Sequence, residues 1–478
     1  MISALHAQIL ERDQALATRD VLIEQLVVRV AELEARLGKN SQNSSKPPSS
    51  DNPFTKPPPR SLRGASGRRP GKQAGQPGAR LEPRPDPDQI VVHAPEVCGG
   101  CGADLAGASS VGDQRRQVFD LPPITLRVVE HRAERRQCGC GQVSAAPFPV
   151  EATAPTCYGP GLAALGVYLQ GRQHLPVARA AELVSDCFGV SVSTGWLSGL
   201  MPAAAQRLEG FTAAAQAQLR AAPVAHFDET GARVGAKLWW VHVACTGALT
   251  LYHRAPSRGH QSADLGGVLP GFAGVAVHDG LTSYRHYDIE HGLCNAHHLR
   301  ELTALSETLA TTSATTGVVW PAELAGLLVE MNKVVQTAKA AGDTALPPRR
   351  LAGFRRRYRM LIAQGWAAHP PPPPTGKRGR PKLGVAGSLL RRLDLHQDDV
   401  LRFATDFAVP FDNNQAERDI RMIKLQQKIS GSWRSETGAD AFLTTRSYMS
   451  TARKHHRNAL DVLQQVFTGN PWIPTPAQ

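Results

Sequence analysis

Residues 221–234 read AAPVAHFDETGARV. An apolar, strand-like run meets two adjacent acids, Asp228 and Glu229, and then a turn-prone glycine. A second apolar run, GVAVHDG at 274–280, meets an acid in the same way at Asp279. Between them lie KLWWVHVAC and ALTLYHR, rich in β-branched and aromatic residues and separated by a short turn around Gly247. LCNAHHLRELTAL then opens a helical stretch, and helical patterning dominates 303–365 and 386–406. FDNNQAERDIRMIK at 411–424 reads as a further helix capped by Asp412 or an asparagine. Strands followed by a long helical segment and a closing helix predict an α+β core with a helical insertion over about 303–406.

The acids carry the chemistry. Asp228 and Asp279 are placed at strand ends, where side chains can meet at the edge of a sheet. Glu417 stands on the closing helix. Three carboxylates from separate elements can hold two Mg2+ ions (or Mn2+) about 3.5–4 Å apart for in-line phosphoryl transfer. Alternation puts Asp228 opposite Phe227 but does not say which sheet face is the cleft. Glu229 competes with Asp228 for the first ligand position.

The formal charge of +13 favours a polyanionic partner. It is concentrated: residues 39–80 hold nine Lys/Arg against one acid, Asp51. With eleven prolines, 39–90 has too few apolar side chains to fold alone and reads as a disordered basic linker. Before it, 1–38 has a seam from Ile2 to Leu37 that steps alternately by three and four residues, interrupted at Arg12 and Arg19. That spacing predicts a coiled coil and a homo-oligomer. No apolar run reaches the roughly 18 residues of a membrane span. Glu11, Arg12 and Asp13 stand where an export signal would be apolar, so a cytoplasmic, nucleoid-associated protein is expected.

Cysteine usage points to metal. Cys98 and Cys101 form C-x2-C and Cys138 and Cys140 form C-x-C, each beside glycines that allow the chain to turn two thiolates toward one Zn2+. Four sulphur ligands leave no open position, so the 91–150 module is expected to hold structural zinc in a ribbon-like fold. The intervening QVFDLPPITLRVVEHRAERRQ reads as strands around a Pro-Pro turn. In 151–215, LPVARAAELVSDCFGVSVSTGWLSGLM predicts a helix, a turn at Gly189 and a second helix from about Thr194, as in a helix-turn-helix. Segment 431–478 closes the chain as a helical region.

HFDETGARV, VHDGLTSYRHY, CNAHHLREL and NNQAERDIRMIKLQQKISGSWRSETGA resemble motifs of the large transposase subunit of the insertion-sequence-66 family. KNSQNSSKPPSSD and the paired cysteines resemble its N-terminal half. The resemblance implies an RNase H-like catalytic core over 216–430 and a DNA transposase that cleaves and joins strands at element ends and target. It implies an Asp-Asp-Glu triad of Asp228, Asp279 and Glu417, spaced 279 − 228 = 51 and 417 − 279 = 138 residues apart. It also implies small accessory proteins encoded nearby. Arg418, Arg421, Lys424 and Lys428 follow Glu417 at helical spacing and suit DNA phosphates. Lys377, Arg378 and Arg380 in KRGRPK resemble an AT-hook and are read as a basic DNA-binding loop. Cys294 and His297 form C-x2-H, read as helix packing beside the site. The competing readings are an RNase H-fold nuclease or resolvase that does not join strands, and a non-catalytic DNA-binding regulator.

Overall fold

The computed structural model describes residues 81–121, 124–149, 152–311, 318–372 and 383–475, with isolated positions Arg12, Leu16, Arg19, Ile23, Val30 and Gly75. Those five N-terminal seam positions are helical and exposed. The rest of the coiled-coil segment, most of the basic linker, and Lys377, Arg378 and Arg380 lie outside the described residues.

The cysteine module contains one short antiparallel pair, β1 (Arg135–Gln137) with β2 (Val143–Ala145). The strands expected on both sides of a Pro-Pro turn are otherwise not formed among its described residues. Val118 and Val128 are both 90% exposed: among the described residues no second layer covers their apolar side chains, so nothing there rewards alternation.

Four helices follow: α1 (Pro160–Gly171), α2 (Val177–Phe188), α3 (Thr194–Gln206) and α4 (Glu209–Arg220). The expected turn is present: α2 stops at Gly189 in the left-handed region, φ 65°. Ser193 then caps α3 by accepting from Trp196 N at 3.1 Å.

Strands β3 (Val224–Val234), β4 (Lys237–Cys245), β5 (Thr250–Ala255), β6 (Val275–His278) and β7 (Glu290–Leu293) form one sheet in the order β5-β4-β3-β6-β7. The β5-β4-β3 part is antiparallel, and β6 and β7 continue it in parallel. The sequence reading is corrected at three points. Strand β3 does not end at Asp228 but runs on to Val234, because β4 pairs with it from His226↔Cys245 to Val234↔Lys237. Gly231 is therefore inside the strand, and the hairpin turns on Gly235 and Ala236, both with positive φ (53° and 64°), as a two-residue primed turn requires. Strand β7, only four residues long and without alternation, had no pattern to announce it.

Alternation along β3 sends its two sets of side chains to different cores. Ala225 and Phe227 pack with Leu219, Phe272 and Tyr284 on one face. Ala232 and Val234 face the other way, into a core shared by α1, α3 and α4 and by three C-terminal helices. These are α11 (Asn414–Ser430), α12 (Glu436–Lys454) and α13 (Ala459–Phe467). The helices flanking the sheet in sequence, before and after it, thus share a single buried layer. A short helix, α5 (His260–Asp264), lies on the Phe227 side.

The insertion consists of α6 (Asn295–Thr311), α7 (Trp320–Ala340), α8 (Pro348–Ala368), α9 (Val385–Leu395) and α10 (Gln397–Thr405). It has its own core around Leu302, Trp320, Leu324, Tyr358, Leu390 and Phe403. Trp320, Leu324 and Tyr358 are at most 2% exposed, so the insertion stabilises itself and hands α11 back to the sheet. No helix among the described residues is long and apolar enough to cross a membrane.

Candidate carboxylate site

Strand register brings the first two acids together. The parallel ladder pairs Val224 with Val275 and His226 with Val277. Two residues further along each chain stand Asp228 and Asp279. Asp228 belongs to the set of β3 side chains directed away from Phe227, α11 packs on that face through Ala416, Ile420 and Ile423, and Asp279 follows the last residue of β6. The sheet face to which Asp228 is directed is the one covered by α11, which carries Glu417 in its first turn.

Electrostatics reports their proximity. The carboxyl of Asp228 is held well above the usual range, by burial first, then by the charges of Glu229 and Asp279, with a smaller push from Glu417. One bond opposes this: Glu229 N donates to Asp228 Oδ1 at 2.8 Å. Asp279 Oδ1 accepts from Leu281 N at 2.9 Å, which fixes the turn after β6.

Glu229 points to the Phe227 side and is already satisfied. Its carboxylate accepts from Arg258 at 2.9 Å and from the Tyr284 hydroxyl at 2.8 Å. Burial and then Asp279 push it up to about 7, against Arg258 and Tyr284. Neither partner was legible in advance, since they lie 29 and 55 residues away.

Asn413 was missed except as a cap. It occupies the N-cap position of α11 but makes no capping bond with its side chain. Asp412 Oδ1 accepts from Asn414 N at 3.1 Å instead. The buried Asn413 side chain crosses to β3, donating to the Phe227 carbonyl at 2.8 Å and meeting His226 Nδ1 at 2.8 Å. Its backbone N–H donates to Cys294 Sγ at 3.1 Å. The C-x2-H pair is also drawn in: His297 Nδ1 lies 4.0 Å from Glu417 Oε1.

Of the basic residues after Glu417, Arg418, Arg421 and Lys428 are exposed. Lys424 is half-buried and donates to the Gly231 carbonyl, which ties α11 to β3.

In the cysteine module each pair is shaped locally. Gly102 N donates to the Cys98 carbonyl at 2.9 Å, and Gly141 N to the Cys138 carbonyl at 2.8 Å. Both glycines have positive φ, 76° and 90°. Hydrogen bonds from the Cys101 and Gly100 backbone lower the Cys98 thiol, and the Cys140 backbone does the same for Cys138. Preformed turns that favour thiolates fit a soft ion such as Zn2+. Among the described residues, no three of these four sulphurs lie within 4.8 Å of one another.

Residues 155–441 match the family model described as the transposase IS66 family, more than half of the chain. Residues 95–141 match the model described as the zinc-finger binding domain of transposase IS66, which contains all four module cysteines. Residues 4–82 match a family of unknown function. No curated protein matches the chain. The chain belongs to the IS66 transposase family, and its N-terminal half carries that family's zinc-finger module.

Proposed function

We propose that this chain is a DNA transposase that cuts and joins strands through Asp228, Asp279 and Glu417, holding Mg2+ or Mn2+. The observation that carries the reading is the raised Asp228 carboxyl, beside which β6 runs parallel and α11 packs: burial, then the charges of Glu229 and Asp279 and, less, of Glu417 disfavour its ionised form. That arrangement is unfavourable without a cation, and the donors are the hard oxygens magnesium prefers. When bound, such ions activate the attacking oxygen and offset charge on the leaving one. The mixed sheet, three antiparallel strands continued by two parallel ones, supports an RNase H-like core.

The chain's own residues divide the work. Asp228 and Asp279 offer oxygens from neighbouring strands, and Glu417 offers a third from α11. In cleavage, water adds to phosphorus at an element end and the P–O3′ bond breaks, leaving a 3′-hydroxyl. In joining, that hydroxyl adds to a target phosphorus and the target's P–O3′ bond breaks. Arg418, Arg421 and Lys428 present cations to phosphates beside the site. The cysteine module, the basic arm over 39–90 with Lys377, Arg378 and Arg380, and the α2–α3 pair are assigned to DNA holding, and the heptad segment 1–38 to pairing of subunits.

The test uses labelled element ends. Asp228→Asn is expected to leave end binding intact in gel shifts and to abolish Mg2+-dependent cleavage. Full cleavage by that variant rejects the site. Nicked ends without joined products from the unaltered protein favour a nuclease or resolvase. Binding with neither product favours a regulator.

A further inference from the structure

Cys294 and His297 have no part in the scheme above, yet they meet its third acid. The Cys294 sulphur, a ring nitrogen of His297 and a Glu417 oxygen all lie within 4.8 Å of one another. We propose that Cys294, His297 and Glu417 form a second, separate site for a thiophilic transition metal of the Zn2+ class, which shares Glu417 with the Asp228–Asp279 pair.

Three observations carry it. The first is geometric. Zinc held tetrahedrally through nitrogen and oxygen, with bonds of about 2.0–2.1 Å, separates those two atoms by roughly 3.3 Å. His297 Nδ1 and Glu417 Oε1 stand 4.0 Å apart, so a small side-chain rotation closes the site. Cys294 directly precedes α6 and His297 lies in its first turn, three residues on, so both face one side.

The second is an unmet need. His297 Nδ1 is buried and has no hydrogen-bond partner among the described residues. A buried ring nitrogen without a partner carries a desolvation cost that coordination removes.

The third is the setting of the sulphur. Cys294 is 1% exposed and accepts from Asn413 N at 3.1 Å. It sits where the N-terminal ends of α6 and α11 converge. On metal binding the thiol proton leaves to solvent and the Cys294 thiolate takes its place as ligand. A sulphur–nitrogen–oxygen set selects soft or borderline ions and is poor for Mg2+.

Loading this site engages the Glu417 carboxylate from the α6 side. Zinc therefore restrains the carboxylate chemistry; this consequence rests on the proposed function, whereas the metal site itself does not.

The test uses the full chain, stripped by dialysis against a chelator and reloaded with Zn2+ or Co2+. Elemental analysis is expected to find about one equivalent more metal per chain in the unaltered protein than in Cys294→Ser. His297→Gln is expected to bind at least about tenfold more weakly. The four-cysteine module contributes equally to all three proteins and cancels. The Co2+ difference spectrum, unaltered minus Cys294→Ser, should show thiolate charge-transfer and tetrahedral ligand-field bands. Equal metal content in the three proteins, each melting cooperatively, overturns the site. In Mg2+ cleavage of labelled ends, added Zn2+ is expected to inhibit the unaltered protein and to spare His297→Gln. A loaded site without inhibition overturns the sharing of Glu417. If Asp228→Asn still cleaves, the carboxylate reading fails while the metal count stands.

Discussion

Asn413 donates from Nδ2 to the carbonyl of Phe227 at 2.8 Å, and the next residue of that strand is Asp228. The parallel ladder with β6 pairs nothing in β3 beyond His226, so this carbonyl takes its partner from the helix start instead. One side chain thereby fixes where α11, and with it Glu417, meets the strand that carries Asp228. Replacing Asn413 by Ala removes both side-chain bonds and strands buried partners. The expected loss is about 2–4 kcal/mol, at about 1–3 kcal/mol per buried group left unpaired. Urea unfolding checks it; a loss below about 0.5 kcal/mol, the range of ordinary surface changes, would remove Asn413 from this role.

The charges around Asp228 predict a gain in stability from a change at the proposed site. Asp228→Asn removes a half-buried carboxyl whose ionised form burial, Glu229 and Asp279 oppose, while its Oδ1 can still accept from Glu229 N. The metal-free protein is expected to gain about 0.5–2 kcal/mol near pH 8, the usual scale for relieving a destabilised functional site. Added Mg2+ should raise Tm in the unaltered protein and not in the variant. A variant that melts lower than its parent without metal counts against the cluster.

His174 predicts a direction for acid. Its ring is 2% exposed, neither nitrogen has a partner among the described residues, and Arg446 and Arg172 lie near. Burial first, then those two charges, lowers it from 6.5 to about 4. Between those values the unfolded chain holds a proton that the folded chain refuses, so unfolding takes up a proton. Its contribution is complete above about pH 6.5 and is lost as pH falls toward 4, with a ceiling of about 3 kcal/mol. His174→Asn, which tolerates the left-handed φ of 59°, should flatten that slope. Denaturant midpoints at pH 7, 6 and 5 decide it, and parallel slopes in the two proteins are the contrary result.

Asp419 and Lys454 join α11 to α12 at 2.7 Å, with side chains 14% and 13% exposed. Asp419 also accepts from the Thr250 hydroxyl at 2.9 Å, and Lys454 donates to the carbonyls of Thr246 and Leu249. Asp419→Ala leaves a nearly buried ammonium without its counter-charge and is expected to cost about 3 kcal/mol. The double variant Asp419→Ala/Lys454→Met should cost less than the sum of the single changes. Additive losses in a double-mutant cycle would show that the two do not act as a pair.

Much of this was written locally. Two runs of apolar residues that each meet an acid, a Gly189 stop followed by a Ser193 cap, and cysteines beside glycines are patterns within a dozen residues. Each is decided by backbone sterics or by side-chain period, so the helices, the main strands and the paired thiols could be read from the chain. What those local rules could not give was the face of the sheet. Whether Asp228 or Glu229 shares a face with Glu417 depends on which side α11 covers, and α11 returns from beyond the five-helix insertion. Strand β7 was invisible because its four residues are held by their neighbour β6 rather than by their own pattern. Asn413, Tyr284 and Arg258 were silent for a related reason: a hydrogen bond across 186, 55 or 29 residues leaves no period in the sequence. Composition and spacing determined most of the elements that form and which acids follow the two apolar runs. Only long-range packing, with β6 laid parallel to β3 and α11 closed over the face of β3 that carries Asp228, decided that Asp228 feels the charges of Asp279 and Glu417.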